Sequence, residues 1–363
     1  MKKIRVLITD DSLLFRNVLR NEISKDPQIE VVGLAVDPID AEKKIKILKP
    51  DVITLDVEMP RMNGIDFLKK LMVENPQRVV LVSSLNISVF DALDAGAVDF
   101  VKKPDMSRKN ELQDFFDEMI NKVKIASDAK LKASLVHRQK QRTKIVTKDM
   151  ASRRRLTEIS KQPTISKLPH LRGARKIIAI GASTGGTEAT LEVLKKLPAD
   201  MPGIVVTQHM PAGFTKMYAD RLNRICALDV KEAQNGDRLD DGIVLIAPGD
   251  FQMRVHKDSK GFYVTCKPGE KVSGHRPSVD VLFESVAETV GKNAIGIILT
   301  GMGKDGADNL LKMHKSGAFT IGQDQESCVV YGMPKVAYDM GGVDVQSDVE
   351  DIATVILKYL SKK

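Results

Sequence analysis

Five short apolar runs, separated by helix-like stretches, are the feature that most constrains the first 125 residues. Their length and their apolar character on both faces are typical of strands buried in a parallel sheet that helices cover on both sides. In such a sheet, the residues that form a site gather at the carboxyl ends of the strands. The sequence therefore predicts an α/β domain with five parallel strands. The runs cover residues 4–9, 31–35, 52–55, 79–83 and 98–101.

A second α/β series follows near residue 176. Its shorter β-like runs in the middle indicate a mixed domain, and we expect a doubly wound fold with a mainly parallel sheet. A chain of 363 residues is also too long for one ordinary core. We therefore predict domains at 1–125 and 175–363, joined by a connector at 126–174. The runs of the second domain cover residues 176–180, 204–207, 243–247, 262–266 and 294–299.

The net charge of +8 is concentrated in the connector. Between Ser127 and Arg175 there are 14 Lys and Arg residues against three Asp and Glu residues, so the rest of the chain is slightly acidic. A basic run with few aromatic residues is typical of a solvated connector and less often of a nucleic-acid-binding arm. We favour the connector and expect no nucleic-acid partner.

The chain has no unbroken apolar stretch long enough to span a bilayer, so direct membrane insertion is not expected. The three cysteines, Cys226, Cys266 and Cys328, are widely spaced and form no CxxC pattern. This usage favours neither a disulfide framework nor a zinc site. We expect a cytoplasmic protein.

Polar residues follow four of the first five apolar runs. Asp10 and Asp11 come after the first run, Asp56 after the third, Ser83 ends the fourth and Lys103 follows the fifth. Three converging carboxylates would repel one another unless they surround a hard divalent cation, and Mg²⁺ is the expected ion. Taken singly, the acids could be helix caps, the serine a turn residue and the lysine a surface charge.

This order, Asp-Asp, Asp, Ser and Lys-Pro on successive strands, resembles the receiver domain of bacterial two-component response regulators over about the first 125 residues. The resemblance implies a flavodoxin-like fold. It also implies that phosphorylation of this domain requires Mg²⁺ and that Asp56 is the phosphoacceptor. The other implied roles are an acidic magnesium pair at Asp10 and Asp11, an ion-binding carbonyl at Glu58, a switch hydroxyl at Ser83 and a phosphate contact at Lys103.

In the C-terminal part, the apolar run 176–180 leads into a turn of small residues around Ser183. The pattern Gly181-x-Ser183-x-Gly185 matches a nucleophile elbow, in which glycines allow a sharp turn and leave amide groups near the helix start. A glycine-rich turn could equally hold a nucleotide phosphate. Because the full GxGxxG pattern and the lysine of a Walker loop are both missing, nucleotide binding is disfavoured.

A serine nucleophile needs a base, and His209 is the expected one among six histidines. It follows the apolar run 204–207, so it would emerge beside the Ser183 turn at the same edge of the sheet. Without Ser183, a structural histidine would be the better interpretation. The histidines expected to be structural or exposed to solvent are His137, His170, His256 and His314.

The apolar run 294–299 ends in a glycine-rich loop that contains Asp305. This carboxylate could orient His209, and it could also cap the helix that follows. The chain order Ser, His, Asp differs from the Ser, Asp, His order of the α/β-hydrolases. The serine turn therefore does not indicate membership of that fold.

The runs GASTGG, TQHMP, IAPGD, HRPSVD, LTGMGKDG and SCVVYGMP, in this order, resemble the catalytic domain of the chemotaxis protein-glutamate methylesterases. The resemblance implies a triad of Ser183, His209 and Asp305, with the backbone amide of Met302 in an oxyanion hole. It implies no cofactor at this site. Two weaker candidates for contacts with the oxyanion or the substrate are Thr184 and Arg276.

With the receiver, the resemblance covers nearly the whole chain. It implies a phosphorylation-activated hydrolase that demethylates glutamate methyl esters and deamidates glutamines on chemoreceptors, with a chemotaxis histidine kinase as phosphodonor. Two alternatives remain open from the residues. A DNA-binding response regulator would also join a receiver to a basic region, but the C-terminal part shows no compact helix-turn-helix module. A non-catalytic nucleotide-binding domain would use the Gly181 to Gly186 turn.

Overall fold

The computed structural model describes residues 2–59, 62–83, 88–105, 109–131 and 176–361. In the N-terminal domain, five strands alternate with five helices. The strands are β1 (Ile4–Thr9), β2 (Ile29–Ala35), β3 (Val52–Asp56), β4 (Val79–Ser83) and β5 (Asp99–Lys102). The helices are α1 (Leu13–Ile23), α2 (Pro38–Leu48), α3 (Gly64–Glu74), α4 (Ser88–Ala95) and α5 (Lys109–Asp128).

These strands form one parallel sheet in the order β2-β1-β3-β4-β5. The predicted five-stranded parallel fold is therefore confirmed. The chain moves from β1 outward to β2 and then to β3 on the other side of β1, so the carboxyl ends of β1 and β3 flank a crevice. Polar caps begin the helices near this edge, since the Ser12 hydroxyl accepts from the Phe15 amide and the Asp37 carboxylate from the Asp40 amide.

The C-terminal domain contains nine strands and six α-helices within residues 176–361. The strands are β6 (Ile177–Ala182), β7 (Gly203–Gln208), β8 (Asp229–Glu232), β9 (Ile243–Ile246), β10 (Gln252–Asp258), β11 (Gly261–Lys267), β12 (Ala294–Ile298), β13 (Phe319–Gln323) and β14 (Val345–Ser347). The helices are α6 (Gly186–Leu194), α7 (Phe214–Ile225), α8 (Val279–Thr289), α9 (Ala307–Lys315), α10 (Met333–Asp339) and α11 (Ile352–Ser361).

Seven of these strands form a parallel sheet in the order β14-β13-β12-β6-β7-β9-β8. The predicted doubly wound α/β fold is confirmed, and β10 and β11 form a separate antiparallel hairpin. The central strand β6 lies between β7 and β12, and the chain builds the sheet outward in opposite directions from it. The crevice at the carboxyl end of β6 is thus the expected position for a site.

The two domains pack against each other through apolar side chains. The rings of Phe90 and Tyr218 stack with centroids 5.7 Å apart, and those of Phe100 and Phe214 lie 4.7 Å apart. All four side chains are buried, and they belong to one continuous apolar cluster shared by both domains. A cavity of about 580 Å³ lies between α4 and α6. The interface therefore contains both an apolar cluster and an unfilled cavity.

The last helix of the N-terminal domain runs past residue 125, the predicted end of that domain. Helix α5 continues to Asp128, and the backbone amide of Lys130 donates to the carbonyl of Val329 at 3.0 Å. Most of the predicted connector, residues 132–175, lies outside the described residues, as do His137 and His170. Across the described ranges, every helix is too short or too polar to cross a bilayer.

Candidate active site

The serine turn joins the central strand β6 to helix α6. Gly185, the residue before α6, has a φ of 77°, in the left-handed region that favours glycine. At Gly181, an added Cβ would lie 2.1 Å from Cγ1 of Val279, so only glycine allows α8 to approach the strand this closely. Ser183, at the carboxyl end of β6, is 9% exposed. The two glycines thus place the serine at the crevice against a tightly packed helix.

His209 follows the last residue of the neighbouring strand β7. Its backbone amide donates to the carbonyl of Ala182, which holds it beside the serine turn. Nδ1 of the imidazole lies 3.1 Å from Oγ of Ser183, and Nε2 lies 2.7 Å from Oδ2 of Asp305. An ionised Asp305 accepts from a protonated Nε2, which leaves Nδ1 free to accept the serine proton. This is the geometry of a serine nucleophile with an oriented base.

Asp305 is buried and lies at the amino terminus of α8. Its carboxylate accepts from the Ser278 hydroxyl at 2.7 Å and from the amides of Val279 and Asp280 at 2.7 and 3.1 Å. Burial alone would raise the pKa of Asp305, but the hydrogen bonds from His209 and its other donors lower it to about 2. The carboxylate is therefore charged at neutral pH. It accepts hydrogen bonds from the start of α8. The alternative role, a cap on the following helix α9, is not the one that the structure shows.

The loop after β12 runs directly beside Ser183. An added Cβ at Gly301 would lie 2.7 Å from Cβ of Ser183, and the Ser183 amide donates to the carbonyl of Thr300 at 3.0 Å. Met302 follows Gly301, and its side chain is 49% exposed. This loop therefore lies beside Ser183, and the role of the Met302 amide in an oxyanion hole stays a prediction.

Thr184 contacts the N-terminal domain. Its hydroxyl donates to Oδ2 of Asp99 at the start of β5, while Nζ of Lys122 on α5 lies 2.6 Å from Oδ1 of the same carboxylate. Thr184 and Asp99 are both buried. In this arrangement, the Thr184 hydroxyl predicted to face the oxyanion or the substrate is held by the other domain instead.

Arg276 lies beside the site, in the loop before α8. One guanidinium nitrogen donates to the carbonyl of Gly269 at 2.7 Å, and another lies 3.7 Å from Asp250. In the described part of the chain, the guanidinium thus pairs with neighbouring loops and makes no hydrogen bond to the triad. Its predicted substrate contact stays a prediction.

The remaining described histidines divide into two kinds. The His275 ring stacks on the His209 ring, with centroids 3.6 Å apart and planes 11° from parallel. His256 instead hydrogen-bonds Thr265, and His314 lies 3.2 Å from Asp344. The last two therefore have structural partners away from the triad.

The N-terminal domain brings together the acids predicted to bind magnesium. Carboxylate oxygens of Asp10, Asp11 and Asp56 lie within 4.8 Å of one another at the edge formed by β1 and β3. Nζ of Lys103 lies 2.8 Å from Asp10 and 2.7 Å from Asp56. Burial raises the pKa of Asp56 to about 6 although Lys103 opposes this shift. A cluster of hard oxygen donors fits Mg²⁺.

The two other predicted residues of this edge lie nearby. Ser83 is fully buried at the end of β4, and its carbonyl accepts from the Lys103 amide at 2.8 Å. The backbone amide of Glu58 donates to Oδ1 of Asp56 at 3.1 Å. The five groups that the sequence places after strands therefore share one edge of the sheet, together with the backbone at Glu58.

Several residues that shape the site were not predicted from the sequence. Ser278 caps α8 and holds Asp305, and Gln208 donates from Nε2 to the Ser183 carbonyl at 2.9 Å. The run HRPSVD contained Ser278, so its position beside the other motifs was an available signal. Asp99 and Lys122 reach the site only through packing between domains, and no sequence motif points to them.

Comparison with known proteins gives the same two-part organisation. The CheB methylesterase family matches residues 178–356, and the response regulator receiver domain matches residues 6–117. The solved catalytic domain of the CheB methylesterase from Thermotoga maritima is 38% identical, with a TM-score of 0.50, and covers 52% of this chain and 100% of its own.

Full-length relatives extend this similarity over both domains. The protein-glutamate methylesterase/protein-glutamine glutaminase 2 of Syntrophomonas wolfei is 52% identical over 362 residues, which cover 100% of this chain and 99% of that protein. The corresponding enzyme of Salmonella typhimurium is 44% identical over 366 residues, or 100% of this chain and 97% of that protein. The chain therefore belongs to the family of protein-glutamate methylesterases/protein-glutamine glutaminases, with a receiver domain followed by a CheB methylesterase domain.

Proposed function

We propose that this protein is a phosphorylation-activated serine hydrolase of chemotaxis, which demethylates glutamate methyl esters and deamidates specific glutamines on chemoreceptors. The observation that carries the proposal is the His209 ring, which lies within hydrogen-bonding distance of both Ser183 and Asp305. The names of the full-length relatives supply the substrate class. The triad supplies the chemistry for both reactions.

The first half of the reaction forms an acyl-enzyme. His209 removes the proton from Ser183 through Nδ1 as Oγ attacks the γ-carbonyl carbon of the glutamyl ester. The charge that develops on the carbonyl oxygen faces the loop after β12, where the Met302 amide is the proposed donor. The tetrahedral intermediate collapses as His209 returns the proton to the methoxy oxygen. The carbon–oxygen bond breaks and methanol leaves.

The second half releases the product. His209 takes a proton from water, the hydroxide attacks the acyl carbon, and Oγ of Ser183 leaves with the proton from His209, so that a glutamate side chain is freed. A glutamine amide follows the same path with ammonia as the first leaving group. Asp305 stays ionised and stabilises the imidazolium in both halves, because its buried carboxylate has hydrogen-bond donors from the start of α8.

The receiver supplies the control. We assign Asp56 as the phosphoacceptor, with a chemotaxis histidine kinase as the source of the phosphoryl group. Asp10, Asp11, Asp56 and the Glu58 carbonyl would hold Mg²⁺, which when bound offsets the negative charge of the phosphoryl group. Lys103 already contacts Asp56 and would pair with a phosphate oxygen, and Ser83 ends the adjacent strand.

Contacts between the domains support inhibition by the unphosphorylated receiver. Asp99 accepts from Thr184, beside the nucleophile, and Lys122 is close enough for its charge to act on His275. Strand β5 begins at Asp99 and is followed by Lys103, so one short strand connects this contact with the phosphorylation site. Because the interface also contains a cavity, phosphorylation could favour a separated arrangement with an open site.

The experiment that tests the hydrolase assignment uses Ser183→Ala in the full chain. We expect the variant to release no methanol from methylated receptor membranes while it still takes up phosphoryl groups at Asp56. Phosphoryl uptake shows that the receiver domain of the variant is folded, and an unchanged thermal unfolding transition shows the same for the catalytic domain. Retained methanol release would overturn the assignment of Ser183 as the nucleophile.

The remaining parts of the proposal concern partners and location. The substrates are the cytoplasmic regions of methyl-accepting chemoreceptors, and the phosphodonor is their associated kinase. We place the enzyme in the cytoplasm. We propose neither a nucleic-acid partner nor direct insertion into a membrane, and no cofactor at the hydrolase site.

A further inference from the structure

The stacked pair of His209 and His275 is not needed for a serine, histidine and aspartate triad. The two imidazoles lie 3.6 Å apart between centroids and are within 11° of parallel. The face of the His275 ring therefore covers one face of the ring of the proposed base. Ser183 and Asp305 instead contact the nitrogens at the edge of that ring. The stacking contact therefore restrains rotation of the His209 ring about its bond to Cβ more fully than its two hydrogen bonds do.

The loop that carries His275 is built into the site. The His275 amide and carbonyl pair with Val272 at 2.9 and 3.0 Å, so the residue is fixed on its amino-terminal side. Three residues further along, Ser278 is held by Gln252 and donates to Asp305. One loop thus places both the aspartate's hydrogen-bond donor and the ring that covers the base.

We propose that His275 is a positioning residue for the hydrolysis, whose ring, stacked on that of His209, holds the base in the plane shared with its two partners. The inference rests on the proposed triad and extends it. An imidazole can rotate about its bond to Cβ, and the hydrogen bond to Asp305 alone restrains one edge of the ring. A parallel ring at van der Waals distance restrains its face.

The chemistry of catalysis favours an uncharged ring at this position. His209 becomes positively charged when it takes the Ser183 proton, and a second cation stacked on it would oppose that step. The titratable groups around His275 are His209 and Asp305 in the site, Lys271 in its own loop and Lys122 on α5 of the receiver. Burial, together with the charges of His209 and the two lysines, disfavours the protonated ring.

The test compares variants of His275 in the full chain, with a phosphodonor present and methanol release from methylated receptor membranes as the readout. His275→Phe keeps a flat ring, and we expect kcat within about threefold of the original value. His275→Ala and His275→Gln remove the ring, and kcat should fall about ten- to hundredfold with KM nearly unchanged. His256→Ala removes a histidine that stacks on Tyr263 outside the site, and it should have no effect.

A pH profile separates positioning from general stability. His275→Arg places a flat but permanently charged group on the base, so the acid limb of the kcat/KM profile should move to lower pH by about one unit or more. His275→Phe should keep the original profile. A full loss of activity in His275→Phe with activity retained in His275→Gln would overturn the inference, since a polar contact and not a ring would then be required.

Measuring Ser183→Ala in parallel distinguishes a wrong positioning role for His275 from a wrong triad. If Ser183→Ala is inactive and His275→Ala is as active as the original protein, the positioning role is wrong while the triad stands. If Ser183→Ala keeps its activity, the proposed triad itself is wrong. Thermal unfolding of each variant identifies one that fails to fold, and His275→Phe then decides the question because its ring fills the same space.

Discussion

Asp99 of the receiver accepts a hydrogen bond from Thr184, the residue that follows the proposed nucleophile Ser183. Lys122 pairs with the same carboxylate, so an ion pair of the receiver is anchored next to the hydrolase site. Because Asp99 also begins the strand that leads to Lys103, the contact lies one strand length, ~13 Å, from Lys103, which pairs with the proposed phosphoacceptor Asp56. The contact therefore joins the receiver to the residue beside the proposed nucleophile.

We expect Asp99→Asn to raise the basal esterase rate of the unphosphorylated protein about threefold to tenfold. The substitution weakens a charge-assisted hydrogen bond across the interface, and about 1 kcal/mol changes a two-state population roughly fivefold. Methanol release without a phosphodonor measures this rate. The matched control is Asp26→Asn, which removes a similar pair with Lys124 of the same helix but away from the interface. Equal basal rates in the two variants would contradict the role of Asp99.

We expect Ser278→Ala to lower both stability and kcat. The Ser278 hydroxyl caps α8 and donates to Asp305, so its loss should cost about 1–2 kcal/mol of unfolding free energy and reduce kcat about tenfold. Ser285 on the same helix makes a comparable buried bond to the Val255 amide. Ser285→Ala should therefore lose similar stability with kcat maintained. A parallel loss of kcat in both variants would show a general packing effect.

The pH dependence of stability should report His275. Burial and the neighbouring His209 lower the pKa of His275 from 6.5 to about 3. Between these values, the unfolded chain binds a proton at this residue that the folded chain does not, so the folded state loses about 1.4 kcal/mol per pH unit as the pH falls below 6.5. His275→Phe lacks this loss. Calorimetry from pH 7.5 to 5 should show the variant gaining stability relative to the original protein, and parallel curves would contradict the expectation.

Control by phosphorylation should depend on the acidic cluster and on a divalent cation. Asp56→Asn should remove phosphoryl uptake and the stimulation of methanol release while the basal rate remains. Chelation of divalent cations should remove the stimulation of the original protein in the same way, and added Mg²⁺ should restore it. Stimulation that persists after chelation would show that the Asp10, Asp11 and Asp56 cluster acts without a metal ion.

Much of the fold and of the proposed triad was predictable from the sequence because both depend on strands. Runs such as 52–55 and 79–83 are buried on both faces, and strand ends carry the polar groups. Parallel topology then brings Ser183, His209 and Asp305 to one edge whatever the details of the helices. Four strands, β8, β10, β13 and β14, were missed. For β8 and β14, four or three residues that are partly exposed give little periodic signal.

Contacts that depend on how loops and domains pack were not predictable. Nothing in the local sequence of Asp99 indicates that it reaches Thr184, since the two residues are 85 positions apart and in different domains. His275 was left without a role because a loop histidine has no periodicity to place it. Asp305 was expected to cap the helix that follows it if it had a structural role, and instead it accepts from the start of α8, which precedes it in the chain.

The central claim, a Ser183 hydrolase under the control of Asp56, is tested most directly by methanol release from methylated receptor membranes with and without a small-molecule phosphodonor. We expect the original protein to release methanol slowly alone and faster with the phosphodonor, Asp56→Asn to show only the slow rate, and Ser183→Ala to release none. Methanol release by Ser183→Ala, or a phosphodonor response that survives in Asp56→Asn, would contradict the account.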